Sequence, residues 1–183
     1  MVCGNQSTAQ LAGVVNNATG GVWSGGAGTF NPSSNNLNAT YAPSLGEIAA
    51  GTVTLTLTST GNGLCNAVSD QVLITIAPTP VVNAGADATV CSNNASVQFA
   101  ASVTNAGGGI WSGGTGGFSP SITALNAVYT PSTTELNNGS VTLNLTSTGN
   151  GTCAQVTDQV FIVFTQSPVV NAGLDRTVCS NDP

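Results

Sequence analysis

Cysteines are the residues of this chain with the clearest capacity for covalent chemistry. They occur as Cys3, Cys65, Cys91, Cys153 and Cys179. Cysteine side chains either pair as disulfides in an oxidising compartment or bind metal in close Cys-x-x-Cys pairs, often together with histidine. The chain has no histidine, and no two of its cysteines are that close. The pattern therefore predicts disulfides and not a metal centre.

The spacing of the cysteines leaves two ways of pairing them. Cys3 and Cys65 are 62 residues apart, as are Cys91 and Cys153. We expect pairing across each of these intervals, because each folding unit can then close by itself. The alternative joins Cys3 to Cys153, since the loops after the first strand and before the last strand of a β-sandwich lie at opposite ends. Cys179 is the odd cysteine, and we expect its partner outside this sequence.

Acidic side chains are the other groups with chemical potential, and they favour a non-catalytic protein. The chain has seven acidic residues, one Arg, no Lys and no His, which gives a formal net charge of −6. A serine nucleophile has no His or Lys to activate it. The carboxylates are too few and too dispersed for paired acid–base work. The sequence therefore predicts no enzymatic activity and no organic cofactor.

Four aspartates form a weaker candidate for calcium binding. Asp70 and Asp158 precede the last strand of a predicted unit, and Asp87 and Asp175 open the next one. Carboxylates from both sides of a joint, with Asn and backbone oxygens, are suitable ligands for Ca²⁺. The alternative is that each aspartate caps a turn through its own backbone.

The positions of these residues follow a repeat of 88 residues without gaps. Cys3 recurs as Cys91 and Cys179, and segment 80–85 recurs as 168–173. A fixed long period indicates one module stacked in a row. The predicted domains are residues 1–78, a repeat that lacks its first strand, residues 79–166, a whole repeat, and residues 167–183, the first strand of a following repeat.

These boundaries admit two interpretations. We expect the sequence to be part of a longer array. The alternative is a subunit that lends its tail to the open first repeat of a neighbour, as in assemblies that form by strand addition. Mass measurement of the native material distinguishes a giant chain from joined subunits.

Each repeat reads as a series of short strands. In residues 52–58, Val53, Leu55 and Leu57 alternate with threonines, and residues 140–146 show the same pattern. This alternation is typical of half-buried strands. Further strands are predicted at 68–76, 81–90, 96–103, 109–112, 126–130 and 156–164, with single helical turns at 44–50 and 132–137. The fold class is therefore all-β, with tandem immunoglobulin-like sandwiches.

Trp23 and Trp111 occupy equivalent positions on a predicted central strand. Large aromatic side chains at such positions normally fill a core. We therefore expect both to be core residues. An exposed aromatic platform for a ligand is the alternative.

Composition excludes several classes of partner. Charged residues make up 4% of the chain, against about 25% in ordinary soluble proteins. Without a basic patch, nucleic acid and anionic lipid are poor partners. No apolar run approaches the ~20 residues that span a bilayer, so membrane insertion is not expected.

Three segments carry a family resemblance. Residues 83–91 (NAGADATVC), 111–114 (WSGG) and 51–58 (GTVTLTLT) resemble the PKD-like, immunoglobulin-like tandem repeats of giant cell-surface proteins of Bacteroidota. The resemblance covers essentially the whole chain. It implies secretion, an extracellular or cell-surface location, and a role as an adhesin, gliding filament or spacer.

The function expected from these observations is structural. The chain would be a rigid, disulfide-locked segment of an extracellular filament, stalk or adhesin, whose partners are adjacent repeats or copies of itself. The alternative is a module that binds glycan or ice, because rows such as Thr52, Thr54 and Thr56 also occur on ice-binding β faces. Exposed threonine is more often simply a good strand former.

Overall fold

The computed structural model has regular secondary structure that is almost entirely β-strand, which confirms the predicted all-β class. It describes residues 1–5, 8–177 and 179–180. Position 178 and residues 181–183, in the predicted segment 167–183, lie outside the described residues, as do residues 6–7. No helix in the described part of the chain is long and apolar enough to cross a membrane.

The first group of elements is called unit 1. Its four-stranded sheet has the order β1-β7-β6-β3, and its three-stranded sheet has the order β2-β5-β4. In chain order the elements are β1 (Val2–Cys3), β2 (Ala9–Gln10), β3 (Gly20–Ser24), β4 (Thr29–Asn31), β5 (Thr40–Ala42), α1 (Leu45–Ala50), β6 (Thr52–Thr60) and β7 (Ser69–Ala77).

The second group, unit 2, repeats this arrangement with added pairing. Its sheets have the orders β12-β15-β16-β9, β10-β14-β13 and β11-β8. The elements are β8 (Val81–Asn83), β9 (Ala88–Cys91), β10 (Val97–Gln98), β11 (Ser102–Thr104), β12 (Gly108–Ser112), β13 (Gly117–Ser119), β14 (Val128–Thr130), α2 (Thr133–Asn138), β15 (Ser140–Thr148) and β16 (Thr157–Thr165).

The long central strands follow from the alternating sequence. In β6 the side chains of Val53, Leu55 and Leu57 point into the core of unit 1, and the intervening threonines are more exposed. Each four-stranded sheet adds a strand in parallel at its edge, β1 beside β7 and β9 beside β16. The side chains from the two faces fill one core in each unit, around Trp23 and around Trp111.

The two short helices begin at the expected serines. Ser44 and Ser132 cap α1 and α2, and in both helices the carboxylate of the glutamate three residues later accepts the backbone N–H of the capping serine. Each helix ends at a glycine in the left-handed region, Gly51 or Gly139. This pairing of a capping box with a C-terminal glycine confines each helix to six residues.

Two strands predicted as continuous are divided in the structure. The predicted strand 81–90 is interrupted between β8 and β9, where Gly85 has a φ of +99° and donates its N–H to Asn83 Oδ1 at 2.8 Å. This turn lets the segment leave β11 and pair with β16. The predicted strand 96–103 is likewise divided into β10 and β11.

Candidate functional site

The junction between the units is closed by a disulfide that sequence reasoning gave only as the alternative. β1 ends at Cys3, which lies beside Ala77 at the end of β7. Cys153 lies in the turn between β15 and β16, where its N–H donates to Asn150 O at 3.0 Å. The sulfur atoms of Cys3 and Cys153 are bonded, and their Cα atoms are 4.9 Å apart.

The expected pairing inside each 62-residue interval is therefore not found. The reason is the parallel pairing of β1 with β7. Cys3 lies at the end of β7, whereas Cys65 precedes its start. A strand of nine residues spans about 30 Å, and a disulfide needs Cα atoms within about 7 Å. The two cysteines of one unit are held at opposite ends of the sandwich.

The disulfide runs beside the peptide linker between the units. Cys153 Sγ lies 3.6 Å from the carbonyl oxygen of Pro78, and Asn105 Nδ2 donates to Thr79 O at 2.9 Å. Cys3 and Cys153 are both buried. The junction thus has two covalent connections, the linker and the disulfide, and they restrict hinge motion more than the linker alone does.

The other described cysteines are unbonded in the structure: Cys65, Cys91 and Cys179. Cys91 pairs with Thr165 at the end of β16, as Cys3 pairs with Ala77. Cys65 closes the turn after β6 with an N–H bond to Asn62 O, as Cys153 does after β15. Cys91 therefore has the local position of Cys3, and Cys65 has that of Cys153, but the two lie at opposite ends of the molecule. A partner for Cys179 outside this sequence stays a prediction.

Two of the four candidate aspartates hold strand segments of unit 2 together. Asp158 Oδ2 accepts the N–H of Ala84 at 2.8 Å, and Asp87 Oδ1 accepts the N–H of Phe161 at 2.8 Å. Their bonding partners lie across the sheet and not in their own turns. Asp70 and Asp175, the equivalents in the repeat, are exposed. Among the described residues no three His, Cys, Asp or Glu side chains form a group able to hold a metal ion, and calcium binding stays a prediction.

The two tryptophans lie in the cores. Trp111 is 1% exposed, stacks on Phe99 with ring centroids 4.4 Å apart, and donates its Nε1 hydrogen to Ala124 O. Trp23 is 6% exposed and donates to Leu37 O. Both indoles therefore belong to the cores, although Trp23 also contributes to the lining of a groove.

A buried carboxylate network was missed by sequence reasoning. Glu135 is 5% exposed, and its carboxylate accepts hydrogen bonds from Thr115 N at 2.6 Å, from the Tyr129 hydroxyl at 2.7 Å and from Ser132 N at 2.7 Å. Burial by itself would raise the pKa of Glu135, but the hydrogen bonds outweigh it and lower that pKa below its ordinary value. Burial also raises the pKa of Tyr129. Glu47 forms the same network in unit 1.

Unit 1 carries an open groove of about 820 Å³ along β7. Its lining includes Val14, Trp23, Leu57, Asp70 and Val72. A smaller depression of about 170 Å³ continues it past Val14, Leu57 and Asp70. In unit 2 the equivalent surface is covered by residues 81–88 of the same chain. The groove therefore has the size and backbone geometry to receive an extended segment.

Comparison with known proteins gives only distant structural likeness. No protein-family model matches the chain, and no curated protein matches it. Mouse protocadherin-24 EC1-3 is 14% identical, with a TM-score of 0.49, over 89% of this chain and 60% of that one. Human protocadherin-24 EC1-2 is 10% identical, with a TM-score of 0.40, over 81% of this chain and 83% of that one.

The extracellular cadherin domains 3-6 of protocadherin gamma B2 are 16% identical, with a TM-score of 0.34, over 93% of this chain and 45% of that one. The chain thus spans about half the length of this fragment. All these neighbours are immunoglobulin-like β-sandwiches in tandem, the class to which the sheets of units 1 and 2 assign this chain. TM-scores below 0.5 carry no further argument about this chain.

Proposed function

We propose that the chain is a non-catalytic structural segment of an extracellular filament, stalk or adhesin. Its repeats comprise residues 1–78 and 79–166, and residues 167–183 begin a further one. The disulfide supports an oxidising, extracellular setting. The resemblance to PKD-like repeats of Bacteroidota surface proteins is the reason for placing the array on a cell surface.

One observation carries this proposal: the cross-link between Cys3 and Cys153 spans 150 residues and closes the junction between two like units. A force applied at residue 1 and at residue 177 passes through this bond. It bypasses all of unit 1 and most of unit 2, so those residues bear little of the load. This arrangement suits a segment that transmits tension and does not suit a site that must open for a substrate.

Single-molecule stretching of the whole chain, held at its two ends, tests the mechanical role. Before reduction, the chain between the two cysteines cannot extend. After reduction, the 150 residues become extensible and add about 500 Å of contour length, at about 3.4 Å per residue. Cys153→Ser should extend like the reduced protein without any reductant. Full extension of the oxidised wild type would contradict the proposed load path.

A further inference from the structure

We propose that the groove on unit 1 binds residues 168–176 of a second copy of this chain as an added strand. The register is the one that residues 80–88 adopt on unit 2. This proposal deepens the proposed function and rests on it, because it supplies the joint through which copies form a longer fibre. Residues 80–88 on unit 2 show which segment fits such a groove.

Unit 2 shows what the filled groove looks like. β8 pairs with β11 in antiparallel fashion, through Val82 opposite Val103. Ala84 is fully buried and donates its N–H to Asp158 Oδ2. Beyond the Asn83–Gly85 turn, Asp87 accepts the N–H of Phe161, and β9 continues beside β16. The segment is thus fixed by backbone pairing, two carboxylates and the buried side chain of Ala84.

Unit 1, as far as its residues are described, presents the same groups without such a cover. Asp70, the equivalent of Asp158, is exposed, and Val72 is half-buried where Val160 is fully buried. Val14 and Leu73 are 76% and 64% exposed. Residues 14–16, all described, form no strand, although their equivalents 102–104 form β11. These apolar side chains and unpaired backbone groups form a template for strand addition.

The same chain carries a matching strand at its other end. Residues 168–179 repeat residues 80–91 at every position except Leu174 for Ala86 and Arg176 for Ala88. Val169, Val170 and Leu174 are 93%, 89% and 94% exposed. The turn is already formed, because Gly173 N donates to Asn171 Oδ1 at 2.8 Å, as Gly85 does to Asn83. A preformed turn lowers the entropy cost of docking.

The register also sets where the docked strand must stop. Val2 and Cys3 pair with Ile76 and Ala77 of β7, as Val90 and Cys91 pair with Phe164 and Thr165 of β16. The acceptor thus already supplies the end of this strand. In this register Arg176 of the donor lies opposite Ile74, as Ala88 lies opposite Ile162, and residues beyond 176 do not enter the groove.

Docking in this register brings two unbonded cysteines together. If unit 1 of the acceptor follows unit 2 of the donor as unit 2 follows unit 1, Cys65 of the acceptor meets Cys91 of the donor. This repeats the Cys3–Cys153 geometry. The two thiols form one disulfide by losing two protons and two electrons to a small disulfide such as oxidised glutathione, which is released as two glutathione thiols.

The first test measures binding of a synthetic peptide of residues 167–176 by titration calorimetry. The acceptor is the whole chain with Val170→Asp, whose own tail cannot compete. We expect one peptide per chain. A Val170→Asp peptide should lose at least tenfold in affinity, because its template Val82 packs on the core, and Val169→Asp should not, because Val81 is 57% exposed. No binding, or equal loss for both peptides, would overturn the proposal.

Matched acceptor variants locate the site. Asp70→Ala should weaken the peptide about tenfold or more, since a hydrogen bond to a charged group contributes about 1.5–3 kcal/mol. Asp158→Ala should leave the affinity unchanged, because its partner Ala84 belongs to the same chain. Asp70 is exposed, so its removal leaves the fold intact. Equal effects of the two substitutions would place the peptide elsewhere and refute the assignment.

The second test uses the whole chain and separates this proposal from the proposed function. In a glutathione redox buffer, the wild type should form a ladder of covalent oligomers on a non-reducing gel. Cys65→Ser and Val170→Asp should abolish the ladder, and Cys179→Ser should not. A ladder that depends on Cys179 instead would contradict this joint. Stretching of the single chain does not involve the groove, so its outcome judges the structural role independently.

Discussion

Removal of the disulfide at the junction gives the sharpest prediction about stability. With Cys153→Ser, neither unit is held in a closed loop when it unfolds. In the intact protein, the Cys3–Cys153 bond and the linker close each unit into a loop of about 75 residues, from Cys3 to the linker in unit 1 and from the linker to Cys153 in unit 2. The chain-entropy relation assigns such a loop about 4 kcal/mol, and about 5 kcal/mol when all 150 residues unfold. Both values are large against the 5–15 kcal/mol of typical domains.

The two tryptophans make this loss measurable in each unit. Trp23 and Trp111 are the only tryptophans of the sequence, and each lies in the core of one unit. Urea unfolding followed by fluorescence, in Trp23→Phe and Trp111→Phe backgrounds, reports the units separately. With a slope of about 1–3 kcal/mol/M in urea, we expect Cys153→Ser to lower both midpoints by about 2 M.

The matched control for this experiment is Cys65→Ser. Cys65 occupies the equivalent turn of unit 1 but is unbonded, so its substitution should leave both midpoints nearly unchanged. Reductant should lower the urea midpoints of the wild type to those of Cys153→Ser and should not change the midpoints of Cys153→Ser. If Cys65→Ser proved as damaging as Cys153→Ser, or if peptide mapping found a bond between Cys3 and Cys65, the reasoning from strand geometry would be wrong.

Three further predictions concern the buried carboxylates and the glycines beside them. Glu135→Gln should destabilise unit 2 by about 2–3 kcal/mol in urea unfolding, because the amide nitrogen cannot accept a backbone N–H as the carboxylate oxygen does. Glu47→Gln should cost less, because Glu47 is more exposed. Because folding lowers the pKa of Glu135, the stability that its carboxylate contributes should be complete above the ordinary pKa of 4.5 and disappear as the pH falls through the lower pKa of the folded state. If the stability of unit 2 falls with acid as steeply in Glu135→Gln as in the wild type, this reasoning is refuted. Gly114→Ala should cost more than Gly139→Ala in thermal unfolding, since both have positive φ but only the Cβ at position 114 would overlap the Tyr129 hydroxyl.

Local signals in the sequence predicted most of the fold. The alternation at residues 52–58 gives β6, and the pairing of Ser44 with Glu47 gives the cap of α1. Each signal acts between residues close in sequence, so it can be read without knowledge of the partner strands. The break between β8 and β9 also had a local signal, the Asn83-Ala84-Gly85 turn, which the strong β character of the flanking residues obscured.

The features that sequence reasoning missed depend on contacts between distant residues. Glu135 is buried because the backbone of Thr115 and the hydroxyl of Tyr129 converge on it, and Thr115 is 20 residues away. No periodicity marks such a convergence. The recurrence of Glu47 with Tyr41 in the repeat was the available clue, because a tyrosine hydroxyl can donate a hydrogen bond to a carboxylate.

The observed cysteine pairing joins two successive repeats and not the two ends of one repeat. The bond spans 150 residues, which exceeds the 88-residue period, so cross-links at successive joints of an array must overlap along the chain. The first link would end at Cys153 and a later one would start at Cys179, only 26 residues further on. Under tension, these intervening residues and the corresponding ones in later repeats would be the extensible part of such a continuous array. Pairing inside each unit would protect the units but leave every linker as a flexible joint, whereas overlapping pairs reinforce the linkers themselves.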